Sequence, residues 1–401
     1  MYKRYEKYKD SGIEWIGEVP EHWNVGKLKY TILLKSGSSI SKDEHVDNGL
    51  YPIYGSNGII GKTNKYNMNK KNIIIGRVGA SGELHVGERG WVTDNALIVS
   101  IINRNIDFTY LFYWLSALNL PEYATKTAQP LITGATIRKI YFLRPKIKEQ
   151  ISIASYLDQK TSEIDSLIAD KEKLIQKLQE YKQSIITETV TKGLNPDVKM
   201  KDSGIEWIGK VPEHWKLYAL KRIAKLRSGD FINSHDIKED GEFPVYGGNG
   251  LRGFTSAYTH EGMFPLIGRQ GALCGNINYA HGKFWASEHA VVVSPIRSVD
   301  LFWLGELLRA MNLGRQSMSA AQPGLSVEKV RNLIIPVPPK SEQSDIAVHL
   351  KNKLNSINAI CETTDQSIIK LKQYRQSLIY EAVTGKIDVR DYQPERSEQL
   401  A

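Results

Sequence analysis

Cysteine is scarce in this chain: there are two, Cys274 and Cys361, in 401 residues. Neither sits in a CxxC or CxxH pair, so neither a disulfide framework nor a zinc site is available, and a reducing, cytoplasmic setting is expected. Long apolar runs are missing too. No stretch approaches the roughly 20 residues needed to cross a bilayer, and the opening MYKRYEKYKD is polar where a signal peptide is apolar. A soluble protein that is not exported is expected. A complete phosphate-binding loop is also absent. Gly55–Thr63 reads GSNGIIGKT, but the required spacing puts the first glycine at position 56, which is Ser56. A related stretch has Gly248 and Gly253 at the correct spacing and then Phe254 where lysine is needed. ATP binding by this chain is therefore not expected.

What is present is a duplication. Lys9–Trp23, KDSGIEWIGEVPEHW, returns as Lys201–Trp215, KDSGIEWIGKVPEHW, with only Glu18 and Lys210 different. The offset, Asp10 to Asp202, is 192 positions, which means two copies of a domain-sized unit rather than a solenoid of short repeats. At 41% hydrophobic residues the chain can bury two ordinary cores. Its net charge of +9 suits a polyanionic partner such as nucleic acid.

Each copy opens with a tryptophan-rich turn (Trp15, Pro20, His22, Trp23 in the first). Packing explains it better than catalysis by His22 or His214. Glycine-dense stretches follow, LYPIYGSNGIIG at Leu50–Gly61 and FPVYGGNGLRG at Phe243–Gly253, with the turn density of binding loops. Then come IIIGRVGASG at Ile73–Gly82 and PLIGRQGALCG at Pro265–Gly275. A strand there delivers Arg77 or Arg269 into a glycine turn. Such an arginine can pair with phosphate or with a guanine edge, or can tie down its own loop. A second strand (Ala96–Ile102; compare Ala290–Ser294) and an aromatic helix (Phe108–Leu118; compare Leu301–Met311) are expected to be core. An Ala-Gln-Pro turn closes each copy, at Ala128–Pro130 and Ala321–Pro323.

Ile151–Val190 then contains neither proline nor glycine. Apolar residues at Ile153, Leu157, Ile164, Leu167, Leu174, Leu178, Tyr181 and Ile185 keep heptad spacing, which predicts a long helix with a coiled-coil seam. The second copy repeats it 193 positions on, with Ile346, Leu350, Ile357, Ile360, Leu371, Tyr374 and Leu378, and Ser367 in place of a leucine. Two such helices in one chain can satisfy each other's seams.

Tandem variable domains, each closed by a P-x-x-x-E-Q turn and a helix ending KLQEYKQSIITETVTKG or KLKQYRQSLIYEAVTGK, resemble the specificity subunit of a type I restriction-modification enzyme. The likeness covers nearly the whole chain. It implies an α+β protein with two tandem α/β target-recognition domains, separated by two long helices forming an antiparallel coiled coil with pseudo-two-fold symmetry. The expected division is 1–145 for the first recognition domain and 146–193 for the first helix. Residues 194–338 hold a linker and the second recognition domain, 339–388 the second helix, and 389–401 a tail. The resemblance also implies a non-catalytic chain that reads a bipartite double-stranded DNA site. It would dock two adenine-methylating subunits and ATP-dependent restriction-translocase subunits, with methyl donor, ATP and magnesium on those partners. Consistent with this, the sequence contains no Asn/Asp-Pro-Pro-aromatic methylation motif. Candidate DNA contacts are Lys62, Lys65, Arg77 and Arg89 in the first domain and Arg252, Arg269 and Gln270 in the second; base contacts are not carried over from the family, whose recognition domains vary. The two domains diverge outside their shared framework, which points to an asymmetric site. The rival readings are a lone nuclease or methyltransferase, and a structural coiled-coil adaptor that never touches DNA.

Overall fold

The computed structural model describes residues 3–271, 273–316 and 324–392. Ala321–Pro323 and most of the expected tail lie outside the described residues. The chain forms two compact units: Met1–Lys171 with Gln366–Ala401, and Glu172–Asp365.

In the first unit, β1 (Tyr8–Asp10) pairs with β2 (Glu18–Pro20), and β3 (Asn24–Lys27) leads to β4 (Ile32–Ser36). A hairpin of β5 (Tyr51–Gly55) and β6 (Gly58–Thr63) precedes β7 (Asn72–Gly76), β8 (Leu84–Gly87), β9 (Trp91–Val92) and β10 (Ala96–Ile101). The strand order is β4-β10-β7-β8 in one sheet and β6-β5-β9 in another. All of this pairing is antiparallel except β5 with β9. Strand β7, NIIIG, is buried along its whole length between β10 and β8, which is why it reads as a continuous apolar run. Helix α1 (Phe108–Ala117) starts where Asp107 accepts from the Tyr110 amide at 2.8 Å, and it buries Tyr110, Leu111, Trp114 and Leu115. After the short α2 (Gly134–Lys139), β11 (Tyr141–Arg144) pairs with β3 and brings the end of the globular region beside its start.

The second unit repeats the plan. Its strands are β12 (Met200–Asp202), β13 (Lys210–Pro212), β14 (Lys216–Ala219), β15 (Ala224–Ser228), β16 (Phe243–Gly247), β17 (Gly250–Thr255), β18 (His260–Glu261), β19 (Phe264–Gly268), β20 (Ile277–Ala280), β21 (Lys283–Ala286) and β22 (Ala290–Pro295). They assemble as β15-β22-β19-β20 and β17-β16-β21-β18. Core helix α4 (Leu301–Ala310), short helix α5 (Val327–Asn332) and β23 (Ile334–Val337), paired with β14, complete it.

The P-x-x-x-E-Q turn is a two-residue clasp. Between α2 and this clasp the chain enters the long helix α3 (Ile147–Lys192), 46 residues. Trp23 Nε1 donates to Glu149 Oε1 at 3.0 Å, and His22 Nε2 lies 2.9 Å from Glu149 Oε2. Gln150 accepts from the Asp107 amide (2.9 Å) and donates to the Asn105 and Pro145 carbonyls, fixing the start of α1. In the second unit Trp215 and His214 meet Glu342, and Gln343 accepts from the Asp300 amide (2.8 Å), at the head of α6 (Lys340–Val383). His22 and His214 are thus structural. Trp23 and Trp215 are fully buried, whereas Trp15 and Trp207 are 40% and 38% exposed.

Each long helix divides between the units, at 171/172 in α3 and at 365/366 in α6. In the first unit Tyr392 contacts Tyr156 and Gln159 while Arg375 pairs with Asp165 at 2.9 Å, so the two segments run in opposite directions. In the second, Lys182 Nζ donates to Asn358 Oδ1 at 2.9 Å.

The seam differs from the sequence expectation. Leu167, Leu174, Tyr181, Ile360 and Tyr374 are 43–54% exposed. Ile153, Leu157, Ile164 and Leu178 face inward as expected, in a column completed by Thr161, Ile168, Lys171, Ile175 and Lys182. Position for position, 193 residues on, it is Ile346, Leu350, Leu354, Ile357, Cys361, Thr364, Ile368, Leu371 and Arg375. Polar residues inside this column disguised it. At the helix ends Ile186, Val190, Ile379 and Val383 are buried. Among the described residues, no helix is long and apolar enough to cross a membrane.

Candidate nucleic-acid interface

Three loops converge in the first unit. The first is the hairpin turn Gly55–Gly58, which joins two antiparallel strands and is therefore not a strand-to-helix phosphate loop. The second is the Gly76–Gly79 turn after β7. These two are pressed together: a Cβ on Gly76 would lie 2.5 Å from the Ser56 carbonyl oxygen and would collide with that of Ala80. The third is the polar turn ending at Leu131. Its Ile132 amide donates to Arg77 O at 3.0 Å, Val78 bridges Leu131, and Ser81 Oγ lies 2.6 Å from Pro130 O.

The described residues of the second unit make the matching contacts. A Cβ on Gly268 would collide with the Gly248 carbonyl, the Leu325 amide donates to Arg269 O at 2.9 Å, and Gln270 bridges Gly324. Regular strands deliver each glycine turn, and backbone hydrogen bonds from the third loop hold it. The frame therefore needs few particular side chains and leaves the rest free to vary.

The seven candidate residues fall into different positions. Arg77 Nη1 lies 3.4 Å from Asp94 O, and Arg269 Nη1 lies 3.3 Å from Ser228 Oγ. Each arginine lightly ties its own loop and stays partly exposed. Arg252, which lies across Gly247, and Gln270, which follows Arg269, are both exposed. Lys62 is exposed on β6. Lys65 and Arg89 belong to a separate cluster. Arg89 lies over the Tyr66 ring at 5.0 Å. Lys65 is paired with Glu44, and that hydrogen bond, helped by those from Ser41, holds the Glu44 carboxyl down to about 2.

Sequence reasoning singled out Lys62 on β6 and Arg252 on β17 but passed over their apolar neighbours. Ile59 and Ile60 are 65% and 57% exposed beside the glycine turns, and Leu251 is exposed at the matching place in β17. An apolar pair inside a glycine-rich, solvent-facing turn was the signal available in the letters.

Comparison with known proteins agrees with this doubled architecture. The family model described as "Type I restriction modification DNA specificity domain" matches twice, over residues 20–177 and 212–370. The Escherichia coli type I restriction enzyme EcoprrI specificity subunit is 42% identical over 153 residues, 37% of this chain and only 38% of that relative. The Methanocaldococcus jannaschii type I restriction enzyme MjaVIII specificity subunit is 25% identical over 414 residues, covering 93% of this chain and 95% of the relative. A solved chain from work on complex assembly and conformational transition of the type I R-M system shares the fold, with a TM-score of 0.69 at 14% identity over 91% of this chain and 98% of that one.

Proposed function

Because the chain belongs to the type I restriction-modification DNA specificity family, we propose that it is the non-catalytic address reader of such a system, binding a bipartite, asymmetric double-stranded DNA site. The observation that carries this reading is the repeated three-loop frame with unlike side chains at matched positions: Ile60 and Arg252, Lys62 and Phe254, Val78 and Gln270. A shared frame gives both units one way to approach a duplex. Unlike side chains give them different sequences to read, whereas identical readers would imply a palindrome. Phosphate contacts from the basic side chains would position each unit, and a few side chains would read base edges.

The helices would serve as spacer and dock. Leu167, Leu174 and Tyr181 and their counterparts Ile360 and Tyr374 form an exposed column beside the inward one. A column that occurs twice offers the same docking surface to two methylating subunits. Methylation, translocation and cleavage, with methyl donor, ATP and magnesium, would belong to the partner subunits.

The test is binding of the full chain to duplex DNA, with and without its methylating subunit, across a salt series. A reader gives salt-dependent affinity that strengthens with the partner. An adaptor gives none, and a lone enzyme gives turnover with methyl donor or magnesium in the absence of any partner.

A further inference from the structure

Both hairpins carry the same backbone irregularity. In the first, Ile53 pairs with Gly61 but Tyr54 pairs with Ile59, so Ile60 is the extra residue of a bulge. In the second, Val245 pairs with Gly253 and Tyr246 with Leu251, which leaves Arg252 extra. A bulge re-aims a side chain and is a built feature of a strand. Here the side chain it throws out lies across the glycine that begins the turn. A Cβ on Gly55 would meet Ile60 Cγ2 at 2.9 Å, and one on Gly247 would collide with Arg252 Cδ.

The bulge residue therefore sits at the hairpin turn that is pressed onto the Gly-Arg turn, in the middle of the three-loop frame. The backbone around it is held fixed in both units, yet the side chain changes from apolar to cationic. Ile60 remains 57% exposed, with Ile59 beside it at 65%, and nothing described in the unit covers them.

Resting on the DNA-reading role proposed above, we infer that this bulge residue is a base-reading position in each unit. Ile60 contacts a thymine methyl group, and Arg252 forms forked hydrogen bonds to guanine. Those are the base-edge partners that an aliphatic and a guanidinium side chain select in the major groove. The shared bulge supplies placement, and the side chain supplies the choice.

The experiment uses the full chain with its methylating subunit and the duplex it selects from a randomised pool. Each thymine of that duplex is replaced in turn by uracil, which lacks the methyl group, and each guanine by 7-deazaguanine, which lacks one of the two acceptors. One uracil substitution in one half-site should weaken wild-type binding about fourfold, as expected for a single buried methyl group. Ile60→Ala should bind both duplexes alike. One deazaguanine substitution in the other half-site should cost about tenfold or more, and Arg252→Ala should abolish that difference. If no uracil substitution matters, or if the Ile60→Ala chain keeps the wild-type sensitivity, Ile60 is part of the frame and the inference fails; the same holds for Arg252 with deazaguanine. A wild-type chain that enriches no sequence at all overturns the DNA-reading role itself, a separate result.

Discussion

Glu149 ties the head of the first long helix to the opening turn of its unit. Its side chain is 6% exposed and accepts from a fully buried indole, so Glu149→Ala leaves the Trp23 N–H without a partner. We expect a loss of about 1–3 kcal/mol in urea unfolding. Glu342→Ala should cost less, because that carboxylate is 37% exposed and water can replace it. Arg77→Ala is expected to cost about 1–3 kcal/mol of DNA binding. Loss confined to one half-site marks a base contact, a uniform loss with a salt slope flatter by about one marks a phosphate contact, and no change leaves Arg77 as a tie for its own loop. At this scale the letters reveal residue types and spacing but not partners. The repeated E-H-W and E-Q were visible as motifs, yet only the fold shows that one grips the other. Lys65 was legible as a basic candidate for DNA contact, but its pairing with Glu44 was not.

The long helices were legible as elements and their seam in part: Ile153, Leu157, Ile164 and Leu178 lie in the inward column as expected, whereas Leu167, Leu174 and Tyr181 do not. Two adjacent apolar columns run along each, and the one through Leu167, Leu174 and Tyr181 faces outward. Thr161, Lys171 and Lys182 interrupt the inward one, so its periodicity is weak in the sequence. The strands, by contrast, were plain, because a fully buried strand such as NIIIG has no polar alternation to obscure it. The assignment of columns has direct consequences. Ile164→Ala and Ile357→Ala remove buried side chains and should each cost about 2–5 kcal/mol. Leu167→Ala and Tyr181→Ala should stay within about 0.5 kcal/mol in unfolding, as surface changes do. If the outer column is the dock, combining these two changes should reduce the methylating subunits retained per chain in native mass spectrometry from two. Unchanged stoichiometry and affinity would remove that column from the docking surface.

On the scale of the whole molecule, both helices cross from one unit into the other, so helix length should set the distance between half-sites. Seven residues added between Leu167 and Leu174, and seven more between Ile360 and Leu371, keep the heptad register and lengthen each helix by about 10.5 Å. The non-specific spacer should then grow by up to about three base-pair steps while both half-sites keep their bases. Two-residue insertions would turn the inward column away from its partner, and loss of folding or activity is expected.

The most direct test of the central claim is methylome sequencing of a host expressing this chain with its methylating partner, beside the same host with the partner alone. The account predicts adenine methylation, dependent on this chain, at one motif made of two short unlike sequences separated by a fixed run of unread bases. A palindromic or unbroken motif, or a methylation pattern unchanged when this chain is omitted, would contradict it.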